Sequence, residues 1–162
     1  MEVLIVPIKN ESSAAVIDII LPIQQIEFNV PITLNDQPDL LDIENVYYQT
    51  GGGFWGAKVN EELAGTIALL KFDHSSAAIR KMFVKKDFRG KELGLAQRLL
   101  ETLIEYCKDN GIQHLYLGTV SVLQAAMRFY ERNGFEQIDK SALPKLFPLM
   151  SADNVFYHLT IK

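Results

Sequence analysis

The chain has 162 residues, of which 48% are hydrophobic and 22% charged, and its formal net charge is −4. This length encloses one core, which predicts a single domain over residues 1–162. The acidic balance argues against a nucleic-acid-binding surface, and the single cysteine excludes an internal disulfide. The apolar run at residues 3–8 is too short and too alternating for a signal peptide or a membrane span. We therefore expect a cytoplasmic protein with no membrane partner.

The first third of the chain is predicted to hold one strand and two helices. Residues 3–8 alternate as a strand does, and Ser12 or Ser13 can cap a helix that runs to about Glu27. Because Pro22 lacks a backbone N–H and clashes with the preceding turn, this helix is expected to kink or restart there. A second helix, started by proline and aspartate, is predicted over residues 37–47.

The middle of the chain is predicted to form a hairpin and then a fourth strand. The three glycines at 51–53 predict a turn and not a phosphate loop, since no helix N-terminus follows them. Strands are predicted over 54–59 and 63–72, with a tight turn between them. A further strand is predicted over 77–84.

A basic, glycine-containing loop then joins this strand to a long helix. Residues 80–91 hold six positive charges and one negative, or +5, whereas the other residues hold ten positive and nineteen negative, or −9. Gly90 and Gly94 allow an anion to approach the N–H groups of the first helical turn, which have no partner within the helix. The loop therefore indicates a local site for a polyanionic ligand such as a phosphate group.

The remaining pattern predicts a helix, a strand, a short helix and a final strand. The helix after Gly94 has an apolar stripe that includes Cys107, so we expect this thiol to be buried packing and not a nucleophile. A strand is predicted over 112–119, a helix over 125–133 and a last strand over 154–161.

Two stretches resemble the signatures of the GNAT superfamily of N-acyltransferases. Arg89 and Gly94 fit the loop pattern Gln/Arg-x-x-Gly-x-Gly/Ala, and Phe129-Tyr130 followed by Gly134-Phe135 fits the second signature. The chain departs from the loop pattern at Glu92, which replaces a glycine and is expected in the first helical turn with its carboxylate pointing away from the ligand.

The resemblance implies an α/β fold with a mixed, mostly antiparallel central sheet flanked by helices and split beside the fourth strand. It also implies direct transfer of an acyl group, most simply acetyl, from acetyl-CoA to a primary amine of a small molecule or peptide. The implied acyl-CoA contacts come from the fourth strand and from the loop and helix start that follow it. These residues are Met82, Phe83, Val84, Arg89, Gly90, Lys91, Glu92, Leu93, Gly94, Leu95 and Ala96. Many family members also have an asparagine after the fifth strand, and here Ser121 or Gln124 is the candidate replacement.

Two proton transfers need catalytic groups, because the acceptor ammonium must lose a proton and the leaving thiolate must gain one. By resemblance Tyr130 is the acid, and a phenol with a pKa of about 10 suits an alkyl thiolate. Glu27 is the leading candidate for the base because it follows the Pro22 position on a segment expected over the acceptor side. His74, in a turn after a strand, is the second candidate.

The acceptor and the assembly stay open at this stage. The acidic remainder of the chain favours a cationic amine, such as a polyamine, an amino acid or a lysine side chain. Leu146, Phe147, Leu149 and Met150 are predicted to pack on the sheet, line an acceptor pocket or form a dimer contact, so both a monomer and a homodimer fit. The histidines are scattered singly, and no metal is expected.

Two alternative functions fit the sequence less well. A non-catalytic acyl-CoA sensor would keep the loop and lose the proton-transfer groups, and the retained Tyr130 argues against it. A protein that binds NAD or ATP fits poorly, because the loop has neither Gly-x-Gly-x-x-Gly nor Gly-x-x-x-x-Gly-Lys-Ser/Thr.

Overall fold

A computed structural model describes residues 2–162 and contains one seven-stranded sheet in the order β1-β2-β3-β4-β5-β7-β6. Neighbouring strands are antiparallel except for β4 and β5, which are parallel. The strands β1 to β7 are Val3–Pro7, Gly53–Val59, Glu62–Lys71, Ser76–Val84, His114–Thr119, Glu136–Ile138 and Val155–Thr160. The predicted mixed, mostly antiparallel sheet is confirmed.

The sheet is split between β4 and β5. Their pairing covers only the start of each strand and ends at Ala78 and Tyr116, so the later part of β4 has no partner on that side. Further along, β4 bulges against β3, where Lys81 has a positive φ of 54°. The hydroxyl of Thr66 donates a hydrogen bond of 2.6 Å to the Lys81 carbonyl and holds the bulge in place. A bulge of this kind bends a strand and redirects its side chains.

Three α-helices flank the sheet: α1 (Ser13–Pro22), α2 (Leu95–Asp109) and α3 (Gln124–Arg132). Helix α2 packs its apolar stripe on the sheet and buries Leu99, Leu103 and Cys107 completely. The expected burial of Cys107 is confirmed. Helix α1 belongs to a second apolar cluster, in which Val16 and Ile20 pack with residues of the segment before β2. None of the helices within residues 2–162 is long and apolar enough to cross a membrane.

The helical backbone continues through Pro22 without a break, which corrects the predicted restart, whereas the predicted kink stays a prediction. Pro22 keeps helical angles (φ −61°, ψ −38°), and the chain continues as a π-helical segment over Ile23–Glu27. The wider turn is closed by the Phe28 N–H, which donates to the Ile23 carbonyl at 3.1 Å. Pro22 lacks the N–H that would donate to the Asp18 carbonyl, and the wider π pattern begins directly after it.

The second predicted helix is also different, because residues 37–47 form two short pieces. A 3₁₀ turn covers Pro38–Leu41 and a π-helical segment covers Glu44–Tyr48, with Asp42 at ψ 64° between them. The first piece ends because Asp42, at φ −148° and ψ 64°, leaves the helical region, although Leu40 and Tyr47 on either side of it are both fully buried. Strand β6 was missed because three residues are too few for a periodic signal.

Candidate active site

A long groove runs from the split side of β4 to the start of α2 and along α3. Its cavity volume is about 760 Å³. Its walls include Met82, Phe83 and Val84 of β4, and its floor includes the loop before α2. All eleven residues implied by resemblance from β4, the loop and the start of α2 line this groove.

The loop before α2 is shaped by two glycines with positive φ. Gly94 adopts the left-handed conformation (φ 58°) as the N-cap of α2, and Gly90 has φ 120°. A Cβ on Gly90 would meet nothing within 4 Å, so its glycine is required by conformation and not by space. The first turn of α2 lines the groove, and there the helix dipole favours an anion.

The basic residues within 80–91 line different parts of the molecule, which corrects their assignment to one turn. Lys91 lines the groove, and so do Arg98 and Arg132, which lie outside the cluster. Lys85 instead pairs with Glu62 at 3.1 Å. Arg80 and Lys81, discussed below, line a different cavity.

Glu92 lies in the loop, three residues before α2 begins at Leu95, and not in the first helical turn as expected. It is exposed and lines the groove. The helix starts later than predicted because Gly94, whose left-handed backbone is not helical, is its N-cap.

Ser121 and Gln124 are absent from the lining of the groove as the structure describes it over residues 2–162. The Ser121 N–H donates to the Asn154 side chain at 2.9 Å, and the Gln124 amide donates to the Ser121 carbonyl at 2.6 Å. These contacts close the turn between β5 and α3. Their role toward acyl-CoA stays a prediction.

A small cavity of about 130 Å³ lies beside the same strand, where residues of β4 and Gly118 and Thr119 of β5 line it. It shares lining residues with the long groove, among them Phe28, Met82 and Tyr130. Phe147 and Met150 also line the small cavity, whereas Leu146 and Leu149 are exposed. The two spaces therefore adjoin at Tyr130. The apolar loop before β7 lines the small cavity and not the groove.

Tyr130 is 6% exposed and stands at this junction. Burial raises the pKa of its phenol, and the nearby charge of Asp153 raises it further. The hydroxyl lies 3.5 Å from the Met82 sulfur, which is a weak acceptor. Tyr130 is thus a protonated donor without a strong protein partner.

The structure brings neither sequence candidate for the base into either cavity, within the residues it describes. Glu27 forms a two-point ion pair with Arg89, with Nη1–Oε2 at 2.5 Å and Nη2–Oε1 at 2.7 Å. The hydrogen bond from Arg89 lowers the pKa of Glu27, which makes the carboxylate a weaker base. His74 lies in the turn before β4, at the end of that strand opposite to Met82.

Asp153, just before β7, is a carboxylate that the sequence analysis missed. It lines the small cavity, and its Oδ2 would lie 2.5 Å from a Cβ on Gly118. Burial raises the pKa of Asp153 to about 6, against the opposing effects of Arg80 and Lys81. The available signal was a lone acidic residue at the end of an apolar loop, which is too common a pattern to single out.

Lys81 was also missed as a site residue, and it lies on the bulge of β4. Its Nζ donates to Gln37 Oε1 at 2.6 Å and lies 3.6 Å from Asp39, which accepts a hydrogen bond from Tyr47 at 2.6 Å. Burial lowers the pKa of Lys81 to about 8. Its charge is thus balanced by Asp39.

No group of three or more histidine, cysteine, aspartate or glutamate side chains in residues 2–162 is arranged to hold a metal ion. His114 and His158 lie close, with Nδ1 and Nε2 3.1 Å apart, but they stack on the sheet beside Tyr116.

Comparison with known proteins agrees with this arrangement. The profile of the Acetyltransferase (GNAT) family matches residues 18–135. An acetyltransferase of the GNAT family from Staphylococcus aureus Mu50 is 39% identical and superposes with a TM-score of 0.96, over 99% of this chain and 100% of that one. The chain therefore belongs to the GNAT family of acetyltransferases.

More distant relatives indicate how far the similarity reaches. N-acetylaspartate synthetase from Danio rerio is 34% identical over 105 residues, which are 64% of this chain and 36% of that protein. The chain thus spans about a third of that relative. The PaiA N-acetyltransferase from Thermoplasma acidophilum, solved in complex with coenzyme A, shares the fold with a TM-score of 0.76, 18% identity and 99% coverage of both chains.

Proposed function

We propose that the protein transfers an acetyl group from acetyl-CoA directly to the primary amine of a small acceptor. The observation that carries this proposal is that two spaces adjoin at Tyr130. One is the long groove, which includes the N-terminal turn of α2, and the other is the small cavity between β4 and β5. A donor in the groove and an acceptor in the cavity would meet at this residue. We retain the cytoplasm as the expected location.

The residues of the long groove fit acetyl-CoA. Gly90, Gly94 and the N-terminal turn of α2 offer backbone N–H groups to phosphate, and Lys91 adds positive charge. The apolar walls at Met82 and Phe83 suit the pantetheine arm, and acetyl-CoA would supply the acetyl group as a thioester.

The split side of β4 supplies the groups that polarise the acetyl carbonyl. Beyond Ala78 the backbone edge of β4 that faces β5 has no partner strand, so its N–H groups are available to a ligand. One such preorganised donor stabilises the developing negative charge on oxygen by about 3 kcal/mol.

Tyr130 would protonate the leaving sulfur. As the amine nitrogen forms its bond to the carbonyl carbon, the carbon–sulfur bond breaks and sulfur leaves with the electron pair. The raised pKa keeps Tyr130 protonated at neutral pH, and the same burial raises the proton affinity of a thiolate that forms beside it, so the transfer stays favourable. The phenol then gives that proton to sulfur, and the products are an amide and a free thiol.

Asp153 would take the proton that the amine loses, in place of Glu27. The attacking nitrogen becomes more acidic as its new bond forms, so a carboxylate with a pKa of about 6 is a competent acceptor. Its negative charge in the small cavity also attracts the ammonium form of the acceptor. Tyr130 and Asp153 then regain their starting states through solvent.

Calorimetric titration with acetyl-CoA, and with a non-reactive thioether analogue of it, tests the proposal. We expect binding that Lys91→Gln weakens about tenfold, while Lys108→Gln, an exposed residue outside both cavities, has no effect. Thiol release with an amine should follow. A sensor would bind acetyl-CoA and release no thiol with any amine, and absence of binding would refute the proposal.

A further inference from the structure

Arg80 is a cation that lines the small cavity without an anionic partner. Among the described residues, no carboxylate lies within 4 Å of its guanidinium, whose recorded acceptor is the Met150 sulfur at 3.1 Å. A thioether is a weak acceptor for a group with five donors. The neighbouring Lys81 is different, because Gln37 and Asp39 already engage its ammonium.

Asp153 provides the opposite charge in the same cavity. Within residues 2–162 it has no ion-pair partner within 4 Å, although Arg80 lines the same space. Partly buried charges are costly to leave unpaired, and these two do not neutralise each other by contact. A ligand that carries one positive and one negative group satisfies both.

We propose that the acceptor is a free amino acid, whose carboxylate binds Arg80 and whose ammonium faces Asp153 beside Tyr130. This inference rests on the proposed function and narrows its substrate class. The guanidinium fork of Arg80 matches a carboxylate in two-point geometry. The ammonium first loses one proton to solvent, and the neutral amino nitrogen then attacks the acetyl carbon. The nitrogen gives its second proton to Asp153 while the coenzyme A sulfur leaves and takes the Tyr130 proton, so the products are an N-acetyl amino acid and a free thiol.

The size and lining of the cavity support a small acceptor over a peptide or a polyamine. Its volume of about 130 Å³ is well below the roughly 300–1,000 Å³ of pockets for drug-sized ligands. A polyamine would bring a second cation toward Arg80, whereas the apolar walls at Ile23, Phe28 and Phe147 suit the side chain of an amino acid.

The test is a panel of the twenty standard L-amino acids, their carboxamides and spermidine, with acetyl-CoA as the donor. A carboxamide has nearly the same shape as its amino acid and lacks the negative charge. We expect at least one amino acid to exceed its carboxamide in kcat/KM by about tenfold or more. Arg80→Met should lower kcat/KM for that amino acid about 100-fold, mainly through KM, and leave the carboxamide within about threefold.

Two further variants separate recognition from folding. Arg80→Lys keeps the charge and should recover part of the preference, and Arg128→Met, an exposed arginine outside both cavities, should behave as wild type. The inference would be overturned if the enzyme preferred carboxamides or spermidine, or if it acetylated no amino acid. It would also be overturned if Arg80→Met lowered kcat/KM equally for an amino acid and its carboxamide. Acetyl-CoA binding measured in the same samples shows whether the proposed function survives that result.

Discussion

Replacement of Tyr130 by phenylalanine removes one hydroxyl at the junction of the two cavities and nothing else. Among the described residues the hydroxyl makes one hydrogen bond, which it donates to the Met82 sulfur at 3.5 Å. A net hydrogen bond contributes about 0.5–1.5 kcal/mol to stability, and this one is long and has a weak acceptor. We therefore expect a loss of stability below about 0.5 kcal/mol and a change in Tm below about 2 °C.

The effect on turnover should be much larger than the effect on stability. Loss of a positioned general acid costs about 10²- to 10⁴-fold, and at 6% exposure the site gives bulk water little room to replace the phenol. We expect kcat to fall at least about 100-fold, which corresponds to about 2.7 kcal/mol of transition-state stabilisation. The affinity for acetyl-CoA should stay within about twofold, because the groove keeps its shape.

The assay is thiol release from acetyl-CoA, with Tyr157→Phe as the matched control. The Tyr157 hydroxyl donates to Glu131 at 2.7 Å and lies outside both cavities, and the two tyrosine rings are 5.9 Å apart. This control should lose about 1.5 kcal/mol of stability and keep its turnover. Wild-type kcat in Tyr130→Phe, or an equal loss in both variants, would refute the assignment of Tyr130 as the acid.

Four other predictions follow from the site. The kcat/KM of the wild type should fall as pH drops through about 6, because protonated Asp153 cannot accept a proton. Asp153→Asn should remove this decrease at low pH and lower kcat about 100-fold at pH 8. If the pH profile of Asp153→Asn matches that of the wild type, Asp153 is not the base. Glu27→Gln should lower kcat less than about threefold and reduce the free energy of unfolding by at most about 1 kcal/mol, because the partly exposed ion pair with Arg89 is structural. A 100-fold loss of kcat would instead identify Glu27 as the base. Gly118→Ala should displace the Asp153 carboxylate and reduce kcat more than about tenfold with acetyl-CoA affinity kept, and wild-type kcat would contradict the packing described. The native protein should not react with a disulfide reagent, because burial raises the pKa of Cys107 to about 12, whereas the unfolded chain should show one thiol.

The residues that the sequence analysis assigned to the donor lie together in one groove because they are close in the chain. A strand, a glycine loop and a helix start are consecutive in the chain, and the backbone N–H groups that bind an anion follow from that order. Gly90 and Gly94 therefore carried enough information to place the groove. Tyr130 was found through its neighbours Phe129 and Gly134-Phe135, which form a short contiguous signature.

The acceptor half could not be predicted in the same way, because it is assembled from distant segments. Arg80 comes from β4, Asp153 from the loop before β7, and Phe28 from the position directly after the π-helical segment. Their proximity depends on the bulge at Lys81 and on the wide turn after Pro22, which no periodic pattern reports. Glu27 was chosen for its segment, but its contact with Arg89 depends on that same turn.

The junction of the two cavities has a consequence for how this protein can change. The groove for the donor depends on the loop before α2, whereas the small cavity depends on the start of the β4 bulge and on the loop before β7. A substitution at Phe147 or Met150 therefore alters which acceptor fits and leaves the anion-binding loop untouched. We therefore expect acceptor choice and donor binding to be separable by mutation, and a library confined to residues 143–153 is a direct route to new acceptors.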